Sequence, residues 1–262
     1  MICAQRTRLG GLLLQYEGEM RIDYYLSDLH AWVEPKYFID RCMMTGAFDE
    51  PVQAFIAENV AVGSVCVDVG ANIGAMTLGL CKAVGSSGRV FAFEPGLPFL
   101  TRLKKNINAN PQFLSRVEII PSAVSDKEGY LFWNEDAVEC RNASCISKTG
   151  IKIECTTLDS FATKYNLQRL DFVKLDIEGM ELEAMQGGLQ TLTKFKPILL
   201  YETLIEVEKN RGRKVLFEIE NLLNSLGYQI YGLTKRGAKI PTSYPHYESN
   251  SVAIHNLKAL RA

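Results

Sequence analysis

The chain has 262 residues, 47% hydrophobic, 23% charged and 10% aromatic, which suits a globular protein with a sizeable core and argues against disordered, fibrous and repeat architectures. Lysine and arginine total 29 against 30 aspartates and glutamates, a net charge of -1, so no global basic excess draws it to nucleic acid. Its apolar runs, such as Leu12 to Leu14 and Val65 to Val67, fall far short of the roughly 20 residues of a membrane-spanning helix.

The first 45 residues set Tyr24, Tyr25, Trp32, Tyr37 and Phe38 among charges and read as an N-terminal extension, laid either over the functional face or as a cap on a sheet. Within it, Leu12 to Leu14 is too short an apolar stretch for a secretory signal. Residues 46–262 read as the main domain. A helix over 51–60 starts at Pro51, which a first helical turn accommodates. Residues 64–69, Ser-Val-Cys-Val-Asp-Val, form a β-branched run bounded by glycines, as in a strand buried on both faces of a parallel sheet.

The runs 89–94, 117–120, 171–175 and 198–202 repeat that pattern, and helices are predicted over 75–84, 97–108, 180–193 and 215–226. Such alternation predicts a doubly wound α/β sheet with right-handed crossovers. Residues 130–133 and 151–156 interrupt it and predict a β-hairpin insertion after the third strand. Residues 228–233 and 251–255 are too close for another helical crossover, so they should close the sheet as an antiparallel pair, one strand inverted.

Seven cysteines (Cys3, Cys42, Cys66, Cys81, Cys140, Cys145 and Cys155) with no Cys-x-x-Cys pair are expected to be reduced thiols of a cytoplasmic protein. The cluster of Cys140, Cys145 and Cys155 lacks a fourth ligand at zinc-site spacing. His30, His246 and His255 have no mutual spacing of a metal site, so no metal ligand is assigned. The sequon Asn142-Ala143-Ser144 would matter only in a secreted chain. Nothing in the sequence signals an oligomeric state.

The most informative segment is Asp68-Val69-Gly70-Ala71-Asn72-Ile73-Gly74, which follows the first buried strand and opens a helix. That turn is where an open α/β sheet meets its ligand, and Gly70 and Gly74 let the backbone turn tightly. Glu94 ends the second strand 24 positions after Gly70, close to the spacing at which a carboxylate grips both hydroxyls of an adenosine ribose. Together these features describe a nucleoside pocket. The spacing is G-x-x-x-G rather than G-x-G-x-x-G and Asp68 places an acid beside the turn, a poor setting for a pyrophosphate. S-adenosylmethionine, with an ammonium and a sulfonium and no phosphate, suits an acidic loop better.

These motifs, with Phe93-Glu94-Pro95, Ala123-Val-Ser-Asp-Lys-Glu-Gly129, Thr157-Leu158-Asp159, Lys174-Leu-Asp176-Ile-Glu178-Gly179-Met-Glu181 and Pro197-Ile-Leu-Leu-Tyr-Glu202, resemble the FkbM-type S-adenosylmethionine-dependent methyltransferases. The resemblance runs from about Gly46 to His255. It implies a class I (Rossmann-like) methyltransferase fold with a seven-stranded, mostly parallel sheet whose last strand is antiparallel. It also implies O-methylation of a hydroxyl on a sugar or natural-product-like small molecule, a glycan included. By position, Asp68, Gly70, Asn72 and Gly74 should line the methionine part of the cofactor. Glu94 should hold the ribose, and Ser122 and Ala123 should form the adenine-contacting turn.

Asp176 ends the fourth strand and should face the methyl group. A base among Asp176, Glu178 and Glu202 would remove the acceptor's proton while the pocket brings the reactants together. The same three carboxylates are alternatively a hard-oxygen site for a divalent cation such as Mg²⁺. Glu178 and Glu181 have a plainer reading as acids favoured at a helix N-terminus. Lys174, within a buried strand, is expected to pair with a carboxylate such as Asp159, in a structural rather than a catalytic arrangement. Asp176-Ile-Glu178-Gly179 stands where a nucleic-acid N-methylating enzyme shows an Asn or Asp-Pro-Pro-aromatic motif, which disfavours nucleic acid as acceptor. Two rival functions remain: an S-adenosylmethionine-binding module without turnover, and an NAD-dependent oxidoreductase, which the glycine spacing disfavours.

Overall fold

A computed structural model describes residues 18–46, 48–133, 146–147, 150–203, 214–234, 239–243 and 249–257. Cys3, Cys140, Cys145, the 142–144 sequon and His246 lie outside the described residues. The described part of the extension holds an antiparallel hairpin of β1 (Met20–Tyr25) and β2 (Leu29–Val33), followed by helix α1 (Phe38–Thr45). Alternation along β2 turns Leu29, Ala31 and Val33 inward, where they pack with Leu78 and Leu80 of the main body. The backbone of β2 is bonded by asparagine side chains: the Trp32 N–H donates to Asn106 Oδ1 (2.7 Å) and the His30 N–H to Asn110 Oδ1 (3.0 Å). Asn106 also donates to the Ile73 carbonyl (2.7 Å), tying the extension to the glycine loop.

Helix α2 (Glu50–Asn59), with Pro51 in its first turn, leads into β3 (Val65–Val69), α3 (Ala75–Ala83), β4 (Arg89–Phe93), α4 (Leu97–Asn108) and β5 (Val117–Ile120). The short strands β6 (Ala123–Val124), β7 (Gly129–Trp133), β8 (Ile146–Ser147) and β9 (Ile151–Thr156) precede α5 (Leu158–Lys164) and β10 (Phe172–Leu175). The chain continues through α6 (Glu181–Gln186), α7 (Leu189–Phe195), β11 (Ile198–Glu202), α8 (Val215–Ser225), β12 (Tyr228–Leu233), β13 (Lys239–Pro241) and β14 (Asn250–His255).

The central sheet has the order β13-β12-β14-β11-β10-β3-β4-β5. Strands β11, β10, β3, β4 and β5 run parallel, and β14 is inverted between β11 and β12. Seven of these are the predicted strands. The eighth, β13, is a three-residue edge strand antiparallel to β12, too short to leave a periodic signal.

Side-chain alternation divides the core into two layers. Cys66, Val90, Ala92, Phe172 and Leu200 face the hairpin, α2, α3 and α4. Val67, Phe91, Val173 and Tyr201 face α5, α6 and α8. Two charged residues interrupt the first layer, Asp68 and Lys174, which are register partners on adjacent strands.

The expected hairpin of residues 130–133 and 151–156 forms as β7 and β9, within a four-stranded sheet ordered β6-β9-β7-β8. It does not replace a crossover helix, because α5 follows it. That helix starts at Thr157, whose Oγ1 accepts the Ser160 N–H (3.0 Å) as an N-cap. The single helix expected over 180–193 is two helices, α6 and α7, parted at Gly187 and Gly188. A Cβ on Gly187 would lie 2.0 Å from the Ser125 carbonyl oxygen, so the small sheet passes against the break.

Lys174 does pair with carboxylates, those of Asp68 and Asp176 rather than the suggested Asp159. Asp159 lies on α5, in the opposite layer from Lys174, and accepts the Gln190 (3.1 Å) and Thr191 (2.7 Å) N–H groups at the start of α7. Cys42, Cys66, Cys81 and Cys155 are free thiols. No helix among the described residues is long and apolar enough to cross a membrane.

Candidate active site

A cavity of about 490 Å³ opens at the carboxyl ends of the parallel strands, where an α/β sheet places its ligands. Gly70, Asn72, Glu94, Ser122, Ala123, Asp176 and Glu178 line it, seven of the residues singled out in the sequence. Asp68, Gly74 and Glu202 do not. Asp68 is fully buried beneath the loop, where Oδ2 accepts the Thr77 hydroxyl (2.7 Å) and Oδ1 lies 3.3 Å from Lys174 Nζ. Its place on β3 turns it into the core layer rather than towards a ligand.

The loop after β3 is held by backbone contacts. The Gly70 and Ala71 N–H groups both donate to the Phe93 carbonyl (3.1 and 2.9 Å), and the Asp176 N–H donates to the Val69 carbonyl (3.1 Å). Gly70 has φ +80, and a Cβ there would meet the Asp176 carbonyl oxygen at 2.0 Å. Glycine is therefore required on both conformational and steric grounds. Glu94 latches this loop to its own strand end: Oε2 accepts the Asn72 N–H and Oε1 the Gly96 N–H, each at 2.8 Å. The Ser122 hydroxyl is within reach of the Ala123 (3.0 Å) and Glu154 (3.2 Å) carbonyls, which ties the third-strand turn to the small sheet.

Asp176, Glu178 and Glu202 each present a carboxylate oxygen within 4.8 Å of the others. Asp176 has 42% of its side chain exposed, with Oδ2 lying 3.2 Å from Lys174 Nζ. Glu202 Oε2 is buried with no hydrogen-bond partner among the described residues. Burial first, then the charges of Asp176, Glu178 and Glu181, push the Glu202 carboxyl well above the usual carboxylate range. Glu181 braces the loop ahead of its helix: its buried Oε1 accepts the Ile177 (2.9 Å) and Gly179 (3.3 Å) N–H groups and shapes the turn that carries Asp176.

Three features escaped the sequence. Asp49 abuts the acid cluster; burial and then the Asp176 charge raise its carboxyl, which accepts from Asn250 Nδ2 (3.3 Å). Phe99 and Arg102 of α4 line the cavity, and so do Tyr37 and Arg41 of the extension. Arg102 ion-pairs with the buried Asp40 of α1, 62 positions away, a separation at which no local pattern signals contact.

A model of the methyltransferase FkbM domain matches residues 68–230. The chain belongs to the FkbM methyltransferase family. Among its relatives is the 2-O-methyltransferase NoeI of Sinorhizobium fredii, 24% identical over 180 residues, which cover 62% of this chain and 71% of that one. The hexuronic acid methyltransferase AglP of Haloferax volcanii is 26% identical over 145 residues, 55% of this chain and 58% of its own. The crystal structure of the FkbM methyltransferase from Methylobacillus flagellatus superposes with a TM-score of 0.51 at 17% identity, over 96% of this chain and 59% of that one. That likeness shows the shared class I methyltransferase fold.

S-adenosylmethionine is the cofactor of this FkbM methyltransferase, and the residues present suit it. Asn72 Oδ1 is buried with no hydrogen-bond partner among the described residues. Apolar walls from Ile73, Phe93, Phe99, Leu131 and Ile153 suit an adenosine. Desolvation, only partly opposed by the Gly96 and Asn72 N–H groups, pushes the Glu94 carboxyl up to about 7 from its ordinary 4.5.

We expect Glu94→Ala to weaken S-adenosylhomocysteine binding by about 1.5–3 kcal/mol, through lost ribose contacts and an unlatched loop. Titration calorimetry checks this, and unchanged affinity would remove Glu94 from the ribose. The pH dependence has two opposite signs. With its folded pKa raised, the stability Glu94 contributes to the free protein is present below 4.5 and lost as pH rises through about 7. Ribose hydroxyls held by Glu94 would donate to its carboxylate, so cofactor affinity is expected instead to fall as pH drops below about 7. Thermal midpoints with and without S-adenosylhomocysteine between pH 5.5 and 8.5 measure both.

Proposed function

We propose that this FkbM methyltransferase methylates a hydroxyl oxygen of a sugar or sugar-like small molecule, a glycan included. The observation that carries the reading is the Asp176 carboxylate, open to the cavity that Gly70 and Glu94 also line. When bound, S-adenosylmethionine supplies a methyl group on a positively charged sulfur. Asp176 takes the acceptor's hydroxyl proton and so makes its oxygen the nucleophile, while the cavity walls exclude water and align the oxygen. Relatives named for 2-O-methylation and for hexuronic acid methylation support a sugar oxygen as the target. The free thiols support a cytoplasmic setting; neither nucleic acid nor membrane is a proposed partner.

The mutual 4.8 Å approach of Asp176, Glu178 and Glu202 favours a second reading of the same site, in which the three carboxylates would hold Mg²⁺, whose charge would lower the acceptor's pKa. The deciding experiment is transfer of labelled methyl to a panel of monosaccharides, uronic acids and oligosaccharides, before and after EDTA treatment. Labelled ether products that persist after chelation support Asp176 as the base, and loss restored by Mg²⁺ supports the cation. Tight S-adenosylmethionine binding with background transfer across the panel would leave a binding module. Thermal stabilisation by NAD but not by S-adenosylhomocysteine would overturn the methyltransferase reading.

A further inference from the structure

Lys174 is almost wholly buried in a sheet face that is apolar apart from Asp68, and it touches the floor of the cavity. Its register neighbours are Asp68 on β3 and Leu200 on β11, and Phe172 precedes it by two on the same face. The ammonium lies 3.3 Å from Asp68 Oδ1 and 3.2 Å from Asp176 Oδ2, with 4% of the side chain exposed. Asp68 in turn accepts the Thr77 hydroxyl on its other oxygen (2.7 Å). A continuous line of polar contacts therefore runs from α3 through β3 and β10 to the cavity, and Asp176 is its open end.

Burial opposes the charge on Lys174, yet its pKa is raised, because the charges of Asp176 and Asp68 outweigh desolvation. Such a pair is not needed to complete a core, since apolar residues of similar volume fill a buried site at least as favourably. Its distinguishing consequence is geometric. Asp68, fixed by strand pairing and by the Thr77 bond, takes the ammonium on one side, and the ammonium's other ion pair is with Asp176 at the cavity.

We propose that Lys174, braced by Asp68 and Thr77, is a positioning residue that holds the Asp176 carboxylate in the orientation that accepts the acceptor's proton. The tie on Oδ2 sets the plane of the carboxylate and leaves Oδ1 for the hydroxyl. This rests on the proposed O-methylation, with Asp176 as the group that meets the acceptor. Neither Asp68 nor Lys174 takes the proton; both act through Asp176.

Lys174→Met alone strands Asp68 in the core and can unfold the protein, so the informative variant is the double substitution Asp68→Asn with Lys174→Met. It is expected to fold, to bind S-adenosylhomocysteine within about threefold of wild type, and to lose about tenfold or more in kcat with little change in KM for the acceptor. A merely structural pair would not confine the loss to kcat. In crystals with S-adenosylhomocysteine, Asp176 should hold one orientation in the wild type and turn away or split in the double variant. An Asp176 carboxylate unmoved in the double variant, or a kcat within twofold of wild type, overturns the inference. The crystallographic comparison needs no turnover. A wild type that methylates no hydroxyl would therefore count against the proposed function alone.

Discussion

Gly70→Ala is expected to abolish cofactor binding and to cost about 2–4 kcal/mol of folding stability. Two costs combine at that residue. Alanine must adopt φ near +80, and its methyl must occupy space 2.0 Å from the Asp176 carbonyl oxygen, a backbone atom that cannot swing aside. Relief requires the β3 loop and the β10 loop to separate, which breaks the Asp176 N–H to Val69 carbonyl bond (3.1 Å) and displaces the Asp176 carboxylate. Urea denaturation and calorimetric titration with S-adenosylhomocysteine measure the two effects. An unchanged midpoint with unchanged affinity would show that the loops part at no cost, and the contact would lose its meaning.

Asp176→Asn should lower kcat by about 10²–10⁴ while cofactor affinity stays within about threefold. The amide is isosteric and retains an oxygen for Lys174, so geometry is conserved and only the capacity to take a proton is removed. Single-turnover methyl transfer beside a binding titration separates the two. A kcat within threefold of wild type would mean that proximity and desolvation suffice and that no side chain acts as base. A loss seen chiefly in cofactor affinity would move Asp176 from catalysis to binding.

Much of the site was legible because its parts are local. Gly70, Asn72 and Glu94 sit at strand ends that a β-branched run and its flanking glycines mark without ambiguity, and the structure brings all three to one cavity. Asp68 belongs to the same seven-residue motif yet turns the other way. The last turn of a strand alternates faces, so adjacent positions of one motif serve the core and the ligand. Lys174 shows the same limit. Its burial followed from the surrounding strand, but Thr157-Leu158-Asp159 offered a conspicuous acid, and only the layer in which α5 packs removes it from reach.

The extension was the least legible part. Its aromatic and charged composition fitted both a cap and a cover, and its described residues pack in both places: β1 and β2 against the core, Tyr37 and Arg41 on the cavity wall. Asp40 with Arg102, and Trp32 with Asn106, join residues more than 60 positions apart. No periodicity records such pairs.

By itself, the sequence determined the strands and helices around the central sheet, and the glycine loop and the Glu94 acid that come together at one cavity. Those depend on the periods of consecutive residues and on spacings within a single β-α unit. Tertiary structure alone decided which carboxylate Lys174 meets, that Asp68 is buried, that Glu181 braces a turn, and how the extension completes the cavity. Partner choice depends on which strands lie side by side and which face each side chain takes, and strand order is set by packing among segments far apart in the chain.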